Sequence, residues 1–181
     1  MQEIERRAIT LVLGGVRSGK SRFAQKLAEK ASSVAFVATA KALDAEMRDK
    51  IRRHQQERPK HWRTLEEPLE LARVLAERPP QFDVVLVDCL TLFVANVLEE
   101  KPPTPDKRIA GLTDALRTAC ASVVLVSNEV GSGVVPAYPA GRQFRDLLGE
   151  VNQKVAAIAD NVVFMVAGLP MLLKGHIEVR P

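Results

Sequence analysis

Short apolar runs recur along this chain, and each is followed by a longer stretch in which apolar residues return every three or four positions. The runs lie at 9–13, 34–38, 84–87, 123–127 and 162–166. They lack the apolar–polar alternation of a strand with one wet face, and so predict strands buried on both sides. The stretches between them predict helices with one apolar face. In the first, Phe23, Ala24, Leu27, Ala28 and Ala31 form the stripe. A helix over 43–57 places Leu43, Met47, Ile51 and His54 at i, i+4, i+8 and i+11, within about 80° of one another. Arg48, Asp49, Arg52 and Arg53 lie opposite, and Pro59 ends the helix. A further helix over 68–77 turns Leu71, Val74 and Leu75 inward and closes at Pro79 and Pro80. A short one covers 90–99. After a proline-rich loop, Thr104 is placed to cap a helix that starts at Pro105 and points Ile109, Leu112, Leu116 and Ala119 inward. The last helix, over 140–159, packs by Phe144, Leu147, Leu148, Val151, Val155 and Ile158. Strands alternating with helices predict an α/β fold, a mostly parallel central sheet with helices on both faces.

Composition narrows the class. With 181 residues, 46% of them hydrophobic, the chain suits a flexible segment over 1–7 and one compact domain over 8–181. The net charge of +4 is spread through interspersed acids and bases, without the basic block of a nucleic-acid surface. Two cysteines and three histidines, with no CxxC, argue against a zinc site or a disulfide framework, and a reduced, cytoplasmic protein is expected. No apolar run approaches the ~20 residues of a membrane span; the nearest, 162–173, is interrupted by Pro170.

The chemistry begins directly behind the first run. GGVRSGKS comprises Gly14, Gly15, Val16, Arg17, Ser18, Gly19, Lys20 and Ser21, a complete phosphate-binding P-loop in its strand-then-helix setting. This predicts a P-loop NTPase fold, with backbone amides around the phosphates, Lys20 at the β and γ phosphates, and the Ser21 hydroxyl on Mg2+. In parallel sheets ligands sit off the carboxyl ends of the strands. Those ends here are Thr39, Asp88, Asn128 with Glu129, and Gly168. Asp88 fits the second magnesium carboxylate of such enzymes, against a plain turn residue. Glu129 reads equally as general base, orienter or cap. His54 on an apolar face reads as a satisfied core residue or as a catalyst. DCLT and SNEV supply neither of the motifs a GTPase switch needs, which leaves a compact phosphotransferase as the leading class.

Taken in order, GGVRSGKS, VATAKALDAEM, IRRH, ERPKHWRTLEEP, LVDCLTLFVAN, VSNEVGSGVVP, FRDLLGEVNQ and VAGLP resemble the bifunctional adenosylcobinamide kinase and adenosylcobinamide-phosphate guanylyltransferase family of cobalamin biosynthesis. The resemblance implies two reactions at one site. A nucleoside triphosphate phosphorylates the corrinoid substrate adenosylcobinamide, and GTP then gives GMP to that phosphate through a guanylylated histidine. ATP and GTP are thus the implied substrates, with Mg2+. The matching histidine is His54; His61, beyond Pro59, is its competitor. The resemblance further places Ala38, Thr39, Ala40, Gln55, Gln56, Glu57, Arg58, Glu66 and Asp88 against the guanine nucleotide or its metal. It also suggests a homo-oligomer, with a trimer as the specific form. Arg53 stands where some relatives carry a second histidine. A kinase limited to γ-phosphate transfer and a non-catalytic nucleotide switch are the alternative readings.

Overall fold

A computed structural model describes residues 7–41, 59–76, 82–100 and 104–177. The expected helix over 43–57, and with it His54, Gln55, Gln56, Glu57 and Arg58, lies outside the described residues.

Among the described residues seven strands form one sheet in the order β3-β2-β4-β5-β1-β6-β7. They are β1 (Ile9–Gly14), β2 (Val34–Ala38), β3 (Arg63–Glu66), β4 (Val84–Asp88), β5 (Ser122–Asn128), β6 (Asn161–Val166) and β7 (Leu169–Lys174). All neighbours pair in parallel except β6 and β7, an antiparallel hairpin. The five strands expected from the apolar runs are present, and β2, β4, β5, β1 and β6 have nearly continuous buried cores.

Two strands were not expected. β3 reads RTLE and is largely exposed, so nothing in its hydropathy marks it; backbone pairing with β2 alone makes it a strand. β7 is the second half of the apolar stretch 162–173, turned back by Ala167 and Gly168, both at positive φ. Pro170 is tolerated because β7 is an edge strand.

Among the described residues the helices are α1 (Lys20–Ala28), α2 (Leu71–Ala76), α3 (Leu90–Glu99), α4 (Pro105–Thr118) and α5 (Pro139–Ile158). On one face of the sheet Phe23, Ala24 and Ala28 of α1 pack on Val12, Phe36, Leu86, Val124 and Val126. On the other, α2 to α5 pack on the alternate residues Leu11, Val37, Val87, Val123 and Leu125.

Two local expectations are corrected. The helix placed at 68–77 starts only at Leu71, because the Glu67 carboxylate accepts the backbone N–H groups of Leu69 (3.1 Å) and Glu70 (2.8 Å) and holds them in a turn. Thr104 occupies the cap position of α4 but does not cap. Its hydroxyl instead donates to Glu100 (2.8 Å), which also binds Arg108, and Arg108 reaches on to Glu70. These bonds hold the Glu100 carboxyl down at about 2 and tie α2, α3 and α4 together.

Candidate active site

The parallel strands deliver their carboxyl ends to one edge of the molecule. Period-2 alternation decides what faces where. Val84 and Leu86 of β4, and Val124 and Val126 of β5, pack on the α1 face, so the next residues in phase, Asp88 and Asn128, lie on that face as well. The P-loop rises from β1 on the same side to begin α1.

The loop is built to leave amides unclaimed. Gly19, at φ 92°, occupies the cap position of α1 and has no side chain to satisfy the first-turn N–H groups. Lys20 Nζ donates to the Gly15 carbonyl at 3.0 Å, folding its stem along the loop. Gly168, in the β6–β7 turn, donates its N–H to the Ser18 carbonyl (3.0 Å) and braces the loop from behind. Gly14 must be glycine, since a Cβ there would lie 2.5 Å from Ser18 Oγ and 2.7 Å from the Met165 carbonyl. Gly14→Ala is therefore expected to displace the loop and remove nucleotide binding measured by calorimetry, whereas Gly15→Ala, with open space at its Cβ, is tolerated far better.

Beyond β1 the strand ends form a row. Gly14 pairs with Asn128, Asp88 with Val126, and Ala38 with both Asp88 and Glu66. Glu66, Ala38 and Asp88 thus come together at three adjacent strand tips. β5 lies between β4 and β1, putting Asp88 two strand spacings, about 10 Å, from the P-loop strand.

Thr39 is placed at this edge but its side chain is already engaged. It is fully buried, accepts the Cys89 N–H (2.9 Å) and donates to the Cys89 carbonyl (2.7 Å), so it splices β2 to β4. The Cys89 thiol is no competing nucleophile, since burial first, and the Asp88 charge second, push it up to about 11. Ser21, in the first turn of α1, and Asp88 are hard oxygen donors on the α1 face, a set that suits Mg2+. Among the described residues, no group of three or more His, Cys, Asp or Glu could hold a metal ion.

His61 is placed away from the cradle. It is exposed in the turn before β3, at the amino end of an edge strand four spacings, about 19 Å, from β1. Its neighbour Trp62 is buried and stacked on Phe36, with centroids 6.5 Å apart.

Three polar residues overlooked in the sequence support the edge. Thr91 Oγ1 accepts the Asn128 N–H (2.8 Å). Asn152 of α5 donates to the Asn128 carbonyl (3.1 Å) and accepts from Ser127 Oγ (2.6 Å). Asn96 of α3 donates to the carbonyls of Thr39 (2.8 Å) and Pro68 (3.1 Å). Asn96 and Asn152 are polar residues at buried helix positions, and that mismatch with the stripe was the available signal.

Comparison with known proteins agrees with this geometry. The sequence profile of the family described as "Cobinamide kinase / cobinamide phosphate guanyltransferase" matches residues 10–173. The bifunctional adenosylcobalamin biosynthesis protein CobP of Pseudomonas aeruginosa is 46% identical over 168 residues, covering 92% of this chain and 97% of that protein. The bifunctional adenosylcobalamin biosynthesis protein CobU of Escherichia coli is 40% identical over 178 residues, covering 91% and 98%. At the level of fold alone, a RadB recombinase superposes with a TM-score of 0.52 at 15% identity, covering 96% of this chain and 83% of that one. A type III secretion ATPase superposes with a TM-score of 0.57 at 12% identity, covering 87% and 50%. With a complete P-loop at the carboxyl edge of a mostly parallel sheet and a family profile matched along most of its length, the chain belongs to the cobinamide kinase / cobinamide phosphate guanyltransferase family, and is an enzyme of cobalamin biosynthesis.

Proposed function

We propose that this enzyme phosphorylates adenosylcobinamide and then guanylylates the product through His54. In the first reaction the substrate hydroxyl attacks the γ-phosphorus of ATP or GTP, and the bond to the nucleoside diphosphate breaks. In the second, an imidazole nitrogen of His54 attacks the α-phosphorus of GTP and pyrophosphate leaves. An oxygen of adenosylcobinamide phosphate then attacks the same phosphorus, the P–N bond breaks, and adenosylcobinamide-GDP is released. Imidazole suits the role because an ordinary pKa near 6.5 leaves most of it neutral, with a free lone pair, at pH 7.

The observation that carries this reading is the uncapped first turn of α1 behind a whole P-loop, in a chain of this family. The loop amides and Lys20 offset phosphate charge. Ser21 and Asp88 would hold Mg2+, which when bound neutralises charge on the transferred group. Ala38, Thr39, Ala40, Gln55, Gln56, Glu57, Arg58 and Glu66 complete the nucleotide site in this reading. The fate of GTP tests it. Pyrophosphate release that continues past one equivalent per enzyme only when adenosylcobinamide phosphate is supplied supports guanylyl transfer; production of nucleoside diphosphate alone would reduce the enzyme to a kinase.

The reading also takes the working form to be a cytoplasmic homo-oligomer, a trimer in the specific version, with 8–181 as one catalytic domain. No described helix is long and apolar enough to cross a membrane. β7 supports self-association, because among the described residues its outer edge is unpaired and its Leu169, Met171 and Leu173 are 54–60% exposed. The double substitution Leu169→Glu, Leu173→Glu is expected to convert the oligomer to monomer in size-exclusion chromatography with light scattering. A variant that keeps the parent mass would place the contact elsewhere.

A further inference from the structure

Arg17, in the middle of the P-loop, sits at φ 57°, in the left-handed region that a residue with a Cβ enters only under strain. Glycine would supply that bend freely, and the loop does not lack glycines. Gly15, two residues earlier, has a φ outside that region and open space at its Cβ, so it could carry a side chain. The loop thus keeps a side chain at the position that resists one. The guanidinium it keeps is exposed and, among the described residues, makes no hydrogen bond or ion pair. The other cation of the loop, Lys20, donates to the Gly15 carbonyl (3.0 Å).

What such a cation meets follows from the chemistry proposed above, and the inference rests on that reading. Displacement at phosphorus is in line, so His54 attacks the α-phosphorus from the side opposite to the departing pyrophosphate. The second attack displaces His54 and comes from the side opposite to it, which is the side from which pyrophosphate left. The phosphate of the acceptor therefore enters the place that the P-loop gives to the β phosphate of GTP. We infer that Arg17 grips the phosphate of adenosylcobinamide phosphate there, and so selects that compound over unphosphorylated adenosylcobinamide as the acceptor of GMP. One phosphate oxygen forms the bond to the α-phosphorus, and the electron pair of the P–N bond returns to the imidazole nitrogen. The planar guanidinium donates paired N–H bonds to the other oxygens. The triphosphate of GTP spreads its charge over the loop amides, Lys20 and magnesium, whereas a monoester has fewer contacts, so loss of Arg17 weighs most on the acceptor.

The test compares the full chain with Arg17→Gly, Arg17→Ala and Arg17→Lys. Arg17→Gly removes the guanidinium and suits the left-handed backbone, so its losses are not those of a distorted loop. Enzyme loaded with labelled GMP is mixed with adenosylcobinamide phosphate, and the rate of discharge is followed against acceptor concentration. The half-saturating concentration is expected to rise about tenfold or more in the glycine and alanine variants, as for loss of a hydrogen bond to a charged group. Arg17→Lys, which keeps the charge but not the fork, should recover part of the loss. The KM for unphosphorylated adenosylcobinamide in the kinase reaction, and the GTP concentration that half-saturates loading, should rise by a smaller factor. Equal factors for the two corrinoids, no change in acceptor dependence in any variant, or a glycine variant that no longer loads GMP would overturn the inference and leave guanylylation through His54 intact. A parent enzyme that takes no GMP from GTP would overturn both.

Discussion

His54→Ala is expected to abolish transfer of GMP to adenosylcobinamide phosphate while leaving phosphorylation of adenosylcobinamide within a few-fold of the parent rate. The asymmetry follows from the chemistry. The γ-phosphate reaction needs the cradle and the acceptor hydroxyl but no covalent intermediate, whereas the α-phosphate reaction loses its nucleophile. Loss of a nucleophile typically lowers kcat by about 10⁴–10⁶-fold, far more than loss of a single hydrogen bond. Steady-state assays of the two half-activities on one preparation make the comparison. Equal loss of both would mean that His54 serves the fold or the nucleotide site, not covalent transfer. A retained second reaction would move the nucleophile elsewhere. His61 is a poor substitute on geometry, four strands from β1 and at the amino end of β3.

Lys20→Ala should behave in the opposite way and depress both reactions, by about 10²–10³-fold in kcat, the scale seen when one preorganised donor to a charged transition state is removed. Lys20 Nζ donates to the Gly15 carbonyl at 3.0 Å, so the substitution also loosens the loop that presents the amides. Nucleotide affinity is expected to fall along with kcat. If Lys20→Ala impaired only one reaction, the two activities would not share this cradle. Together the two variants separate the parts of the site, with His54 needed for one step and Lys20 for both.

How much of this was legible in the sequence depended on whether a feature was local. The P-loop is one contiguous motif whose flanking strand and helix are marked by their own apolar patterns, and the observed β1 and α1 have those boundaries to within a residue or a turn. Asp88 was readable because burial on both faces makes β4 an apolar run that stops at its carboxylate. β3 was not, since RTLE at a sheet edge is held by backbone pairing that leaves its side chains in water. β7 hid inside a longer apolar stretch, where Pro170 marked an interruption but gave no direction of turn. Thr104 was read as a cap from its type and position, yet Glu100 offered its hydroxyl a better partner. Thr39 follows β2 at the carboxyl edge of the sheet, as its sequence position implies, but its hydroxyl is engaged by Cys89, 50 residues away in sequence. The role of Asn152 in fixing the end of β5 likewise depends on a contact 24 residues away. Such pairings belong to the fold and not to any window of sequence.

Intact-protein mass spectrometry of the enzyme after incubation with GTP and magnesium, without corrinoid, followed by peptide mapping, is the most direct test of covalent transfer. The expected result is a single added GMP on the peptide containing His54, lost in mild acid, kept in base, discharged by adenosylcobinamide phosphate, and absent from His54→Ala. An unmodified mass, or GMP mapped to any other residue, would contradict the account.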